Sequence, residues 1–247
     1  DGKQMAVAAG TPGQIGEIKL FSTADGSLQG DLVRSGDSVF AVAYSPDGKK
    51  LAAAGADRAI RVYDLASGKQ LLAIEDHADW VMDVAWAPDG TKLASASRDK
   101  TSKVFNATTG DSLVTFNSHG QPVFGVGFSA DGNQVITSGR DKNIRVWNTK
   151  DAKQVRAIGG FGDEVFRVVV AKDGKVYSSS ADKTARIHTV GDGKQVRSLA
   201  GHKDWVYSVA VTPDSKLIAT GSYDGEIRIW NAADGKGTVT FVAAPGY

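Results

Sequence analysis

Two residue types recur along this chain at almost constant distance. An apolar residue opens a short alternating run at Val39, Val81, Val123, Val165 and Val206, in steps of 42, 42, 42 and 41 residues. An Asp in a later turn recurs at Asp57, Asp99, Asp141, Asp182 and Asp224, in steps of 42, 42, 41 and 42. A period held this closely requires a stack of like units, each needing its neighbours to bury its faces.

Each unit breaks into four short strands. In the second, Phe40–Tyr44 ends at Ser45-Pro46-Asp47-Gly48, a turn where Pro presets φ and Gly permits φ > 0. Leu51–Gly55 is small and apolar, as a strand covered on both faces requires. Ala56-Asp57-Arg58 turns the chain into Ile60–Tyr63, and Ala66-Ser67-Gly68-Lys69 turns it into Leu71–Ile74. No stretch carries the 3.6-residue period of a helix.

The first unit lacks its first strand. It supplies strands near Met5–Ala9, Glu17–Phe21 and Leu28–Val33, with an insertion, residues 10–16, expected to loop where the Asp turn stands elsewhere. The last unit ends in a strand near Thr238–Val242. Four-stranded units of this length bury both faces when packed around an axis, as in a β-propeller; a linear solenoid is the alternative. The expected fold is therefore all-β, a β-propeller of four-stranded antiparallel blades, with six blades and an incomplete first one. Without a linker or a shift in composition, 1–247 reads as one domain, with units at about 1–37, 38–79, 80–121, 122–163, 164–204 and 205–247.

A net charge of +1 gives no electrostatic reason to expect nucleic acid, a membrane surface or a strongly acidic partner. The absence of Cys excludes disulfides, thiolate catalysis, Cys-ligated zinc and Cys-linked haem from this segment. No apolar run reaches the roughly 18–20 residues of a membrane-spanning helix. No Gly-x-Ser-x-Gly elbow, His-Glu-x-x-His pair or phosphate-cradling loop is present; Gly125-Val126-Gly127 lacks a third Gly and a following helix. Of the four His, His77, His119 and His202 fall one per unit and His188 is the fourth; separate blades would hold them too far apart to share one metal. No catalytic residue, metal or cofactor is expected.

The Gly201-His202 pair before a first strand, the Pro-Asp-Gly-type turns, the turn Asp and an aromatic six residues after it resemble the WD-repeat family over essentially the whole chain. The resemblance implies a tetrad of His, Ser or Thr, turn Asp and Trp within a unit. Two units match completely: His119, Thr137, Asp141, Trp147, and His202, Thr220, Asp224, Trp230. A third, His77, Ser95, Asp99, has Phe105, which cannot donate. Asp57 has Ser35, Ala53 and Tyr63 at the partner positions; Asp182 has Phe161, Ser178 and His188. Weaker matches should hold their turns less rigidly. The Thr11-Pro12-Gly13 turn, the Phe166-Arg167-Val168-Val169 run and Ala243-Ala244-Pro245-Gly246 look like bacterial WD-repeat segments of planctomycete type, some of which accompany a cytochrome c domain.

In that family three positions per unit point to the narrower "top" face, where protein or peptide partners dock. Here the resemblance sets Ser38, Phe40 and Ala56 there, then Trp80, Met82 and Arg98; Pro122, Phe124 and Arg140; Glu164, Phe166 and Ala181; and Trp205, Tyr207 and Tyr223. Aromatics, Met and Arg are the types enriched at interface cores. Phe40, Phe124, Phe166 and Tyr207 hold equivalent places and read equally as residues that narrow the channel.

The family's first strand lines the channel, so the first blade lacks its innermost strand. Setting Tyr247 against Trp80 and Asp1 against Asp89 leaves residues 81–88 without a counterpart. Upstream residues, with or without a seventh blade, could supply that strand; six blades could close with one three-stranded member; or another chain could donate a strand. The functional expectation is a non-catalytic scaffold binding a protein or peptide on the top face. The alternatives are an accessory domain of a bacterial redox protein and a propeller enzyme with a site at the channel mouth.

Overall fold

The computed structural model describes residues 2–242. Blade one is β1 (Gln4–Thr11), β2 (Ile15–Ser22) and β3 (Leu28–Ser35). Blade two is β4 (Val39–Tyr44), β5 (Lys50–Gly55), β6 (Ile60–Asp64) and β7 (Gln70–Ile74). Blade three is β8 (Val81–Trp86), β9 (Lys92–Ser97), β10 (Ser102–Asn106) and β11 (Ser112–Phe116). Blade four is β12 (Val123–Phe128), β13 (Gln134–Gly139), β14 (Ile144–Asn148) and β15 (Gln154–Ile158). Blade five is β16 (Val165–Val170), β17 (Lys175–Ser180), β18 (Thr184–Thr189) and β19 (Gln195–Ala200). Blade six is β20 (Val206–Val211), β21 (Leu217–Ser222), β22 (Glu226–Asn231) and β23 (Gly237–Val242).

Each blade is a separate antiparallel sheet with strands in chain order, three-stranded in blade one and four-stranded in the rest. β1 stands beside β4 as β5 stands beside β8, so β1 occupies a second-strand position, and among the described residues no innermost strand pairs with it. The end residues Asp1, Tyr247 and Ala243-Ala244-Pro245-Gly246 lie outside the described residues. Among the described residues there is no helix long and apolar enough to cross a membrane.

The insertion in blade one is mostly strand rather than loop. β1 runs to Thr11 and β2 starts at Ile15, pairing Thr11 with Ile15 and leaving Pro12-Gly13-Gln14 as the turn. Gln14 N–H donates to Thr11 O at 3.0 Å, and Asp37 Oδ1 accepts from Gly13 N–H at 2.8 Å. Two glycines let this longer hairpin lie close to the next blade. A Cβ on Gly10 would stand 2.7 Å from Ser38 Cα, and one on Gly16 would collide with the Asp37 carbonyl oxygen.

The core is a series of apolar slabs between successive blades. Ile60 and Val62 of blade two pack with Val84 and Phe105 of blade three. Val104 and Phe116 pack with Val126 and Trp147, Ile144 with Val165, and Ile187 with Val209 and Trp230. Ile18 of blade one joins Leu51 and Tyr63 of blade two. Blade six has no such cover on its far side among the described residues. Ile144 and Ile158, paired across β14 and β15, are 0% and 5% exposed. Their counterparts Ile227 and Phe241, paired across β22 and β23, are 39% and 54% exposed.

Antiparallel pairing puts the starts of the first strands and the ends of the second strands on one face. The Pro-Asp-Gly-type turns stand on the opposite face. At each of those turns the fourth residue is left-handed: Gly48, Gly90, Gly132 and Gly174 lie near φ 70, and Ser215 is forced to φ 58 in blade six.

Candidate functional site

Every complete blade has the same irregularity where its first strand begins. Pairing between first and second strands skips one residue: Phe40, Met82, Phe124, Phe166 and Tyr207. A bulge of this kind frees one side chain from the pleat and re-aims it. All five are positions that the family resemblance sets on the strand-start face.

Three of the five, Phe124, Phe166 and Tyr207, meet ring to ring in series, and Phe40 meets Trp80. Phe40 lies 5.5 Å from Trp80, and Phe124 lies 5.9 Å from Phe166, between ring centroids. Phe166 stacks on Tyr207 at 4.9 Å and meets Trp205 at 6.1 Å. Tyr207 and Trp205 each meet Tyr223, at 6.1 and 6.4 Å. Phe124, Phe166 and Met82 are half-buried, whereas Trp80, Trp205, Tyr207 and Tyr223 are exposed, Tyr223 to 71%. The bulged residues thus pack partly against one another, while Tyr207 and the neighbouring Trp80, Trp205 and Tyr223 remain accessible.

The exposed arginines are steered by acidic neighbours. Arg98 lies 4.6 Å over the Trp80 ring, with Nε 3.4 Å from Asp79 Oδ2. Arg140 Nε lies 2.7 Å from Glu164 Oε1. Ser38 and Ala181 are buried and offer little to a partner.

Beneath this face the turn Asp residues are held in different ways. In blade six, His202 links Asp224 Oδ2 through Nδ1 at 3.1 Å and Thr220 Oγ1 through Nε2 at 2.8 Å. Trp230 donates its indole N–H to the same Thr220 Oγ1 at 2.8 Å. Burial pushes the Asp224 carboxyl up, but N–H groups of Lys203 and Glu226 and the His202 ring outweigh it and bring the pKa down to about 2. In blade three, His77 makes both links at 2.7 Å, to Asp99 Oδ2 and Ser95 Oγ, and Phe105 packs edge-on against its ring.

Blade four departs from its sequence match. His119 Nε2 meets Thr137 Oγ1 at 2.7 Å, and its Nδ1 is 3.1 Å from Asp141 Oδ2 but out of line for a hydrogen bond. The buried indole N–H of Trp147 has no partner among the described residues; its ring stacks on Phe116 at 5.1 Å instead. Asp141 Oδ2 accepts from Arg145 Nε at 2.9 Å and lies 2.8 Å from its Nη2.

That arginine belongs to a series the tetrad pattern overlooks. Four residues after each turn Asp stands Arg61, Lys103, Arg145, Arg186 or Arg228. Arg61 pairs with Asp57 at 2.5 Å and Arg186 with Asp182 at 2.6 Å, in the two blades that lack a suitably placed His. Where His77 or His202 serves the Asp, the basic residue turns elsewhere, Lys103 to Asp76 and Arg228 to Glu226. The turns of blades two and five are therefore anchored by charge. In blade five, Arg186 also lies 4.5 Å over the Phe161 ring. His188 is 2% exposed beside that ring, and burial and the Arg186 charge bring its pKa down to about 4.

His202, Asp224 and Glu226 bring ligand atoms within 4.8 Å of one another. Each is already engaged, His202 with Asp224 and Thr220, Asp224 with two backbone N–H groups, and Glu226 with Arg228 at 2.6 Å. The donor set fits a brace for the turn rather than an open metal site.

The family model described as "WD domain, G-beta repeat" matches residues 20–64, 68–106, 110–148 and 193–231. The chain is also similar to the Intraflagellar transport protein 122 homolog of Danio rerio, at 40% identity over 63 residues. That alignment takes in 26% of this chain and 5% of the relative, so the chain spans only a small part of the relative's length.

Proposed function

The chain belongs to the WD domain, G-beta repeat family, and from that premise we propose that it is a non-catalytic scaffold that binds a protein or peptide on its strand-start face. The observation that carries this reading is the bulge repeated in five blades, which re-aims Phe40, Met82, Phe124, Phe166 and Tyr207 to one channel mouth. Around it stand Trp80, Trp205 and Tyr223 with the guanidinium groups of Arg98 and Arg140. Large rigid rings with Arg at the margin are the groups that dominate binding energy at protein interfaces. The bracing clusters below keep these side chains in register without taking part in contact.

Affinity capture with the wild type and a Trp80→Ala/Trp205→Ala variant tests the reading. A variant that melts like the wild type and loses partners supports it; one that keeps every partner refutes it.

The bacterial source suggested by Thr11-Pro12-Gly13 and the Phe166–Val169 run, and with it the role of accessory domain to a redox protein, is a separate proposal. Sequence flanking this segment tests it: a haem-attachment motif there supports it, and its absence from the full protein removes it.

A further inference from the structure

A large cavity opens on the other face. It has a volume of about 710 Å³ and is lined by the first strands of blades two to five, down to Pro46, Pro88, Ala130 and Lys172 in their turns. Its walls are largely apolar, with Val42, Trp86, Val126, Phe128 and Val168 among them. A volume of this size lies within the roughly 300–1,000 Å³ typical of small-molecule sites.

Two charged side chains reach into it from equivalent positions of the repeat. The third residue of each first strand is Ala41, Asp83, Gly125, Arg167 or Ser208. Asp83 is 5% exposed and fully engaged: Oδ1 accepts from its neighbour Val84 N–H at 3.0 Å, and Oδ2 from Val126 N–H of blade four at 3.1 Å. Burial raises its carboxyl above the usual range, opposed by the Arg167 charge and those two N–H groups. Gly125 between them is required by packing, since a Cβ there would stand 2.9 Å from Val168 N.

Arg167 is not engaged in this way. It feels the Asp83 charge, but among the described residues its guanidinium has neither a hydrogen bond nor an ion pair. Its five N–H donors thus stand unpaired at a largely apolar wall, beside a carboxylate whose two oxygens each already accept a backbone N–H. Asp83, already holding two N–H groups, is the one carboxylate in the lining, and Lys172 adds a second positive charge at the mouth. The cavity is therefore arranged for an anion, and a planar guanidinium matches a carboxylate through two parallel N–H···O bonds.

We propose that this channel binds a small amphipathic carboxylate, its acid group on Arg167 and its apolar body against the Trp86 and Phe128 side of the wall. The site is separate from the strand-start face, and a protein partner and this ligand could be held together.

Calorimetric titration of the whole chain with sodium octanoate and with octan-1-ol tests the proposal. Both carry the same tail, so adsorption to exposed apolar strands is common to the two. Octanoate is expected to bind one site at least about tenfold more tightly than octanol, and Arg167→Met is expected to erase that difference while leaving octanol unchanged. No octanoate binding, equal binding of the two by the wild type, or octanoate binding undiminished in Arg167→Met overturns it. Should Arg167→Met fail to fold, Arg167→Lys takes its place: a several-fold loss for octanoate alone supports the paired-bond geometry, and an unchanged affinity overturns it.

Discussion

Thr220 Oγ1 holds the indole N–H of Trp230 at 2.8 Å and, at the same distance, the His202 ring. One hydroxyl thus joins the second and third strands of blade six to the loop that precedes its first strand. In blade four the equivalent Thr137 holds His119 but not Trp147.

Replacing these tryptophans therefore has unequal consequences. Trp230→Phe removes one of the two hydrogen bonds of the Thr220 hydroxyl, leaving the one to His202, and should cost about 0.5–1.5 kcal/mol beyond the loss of ring size, whereas Trp147→Phe removes no hydrogen bond. Urea unfolding of the two variants measures the difference. Asp141→Ala and Asp224→Ala should likewise lower the melting temperature far more than Asp131→Ala, whose carboxylate serves an exposed turn.

The arginine series predicts that blade five depends on Arg186. Its pair with Asp182 has side chains 14% and 10% exposed, so Arg186→Met leaves a largely buried carboxylate without its charged partner, at a cost of about 3 kcal/mol. Arg228→Met should cost less, because Asp224 relies on His202 and backbone N–H groups. Thermal melts of the two variants decide it.

His188 makes stability depend on pH in a defined direction. Its pKa falls from 6.5 to about 4 in the folded chain, so between those values the unfolded chain binds the additional proton. The contribution is complete above about pH 6.5 and is lost as the pH falls towards 4, to roughly 3 kcal/mol in all. Denaturation midpoints at pH 7.5, 6 and 5 should decline for the wild type and decline less for His188→Phe.

The exposed side of blade six yields a contrast between equivalent residues. Ile144→Ala opens a cavity between two blades and should cost about 2–5 kcal/mol. Ile227→Ala, at the same place in a blade with no cover on that side among the described residues, should cost well under half as much. Matched urea titrations test this.

The period and the turn chemistry make the blades legible in the sequence. Strands fall where the Pro-Asp-Gly-type turns and the turn Asp residues divide the unit, because those turns need particular φ values. The family pattern also locates the braces around His77 and His202. It misleads at Trp147, because residue identity fixes a donor's presence but not its distance from an acceptor. The insertion at residues 10–16 reads as a loop, yet Gly10 and Gly16 are there to let two strands approach a neighbour. The basic residues that include Arg61 and Arg186 are visible as a repeat, but the role of these two emerges only when the Asp is seen without a His. The bulges, and the meeting of Asp83 and Arg167 across blades, depend on register and on long-range packing, which local pattern does not encode.

The claim that the strand-start face carries the partner is tested most directly by site-specific photocrosslinking. A benzoylphenylalanine is placed at Tyr223 on that face or at Asp47 on the opposite one, and adducts are counted after irradiation with the source extract. A discrete adduct is expected from Tyr223→benzoylphenylalanine and none from Asp47→benzoylphenylalanine; adducts from position 47 alone refute docking on the strand-start face.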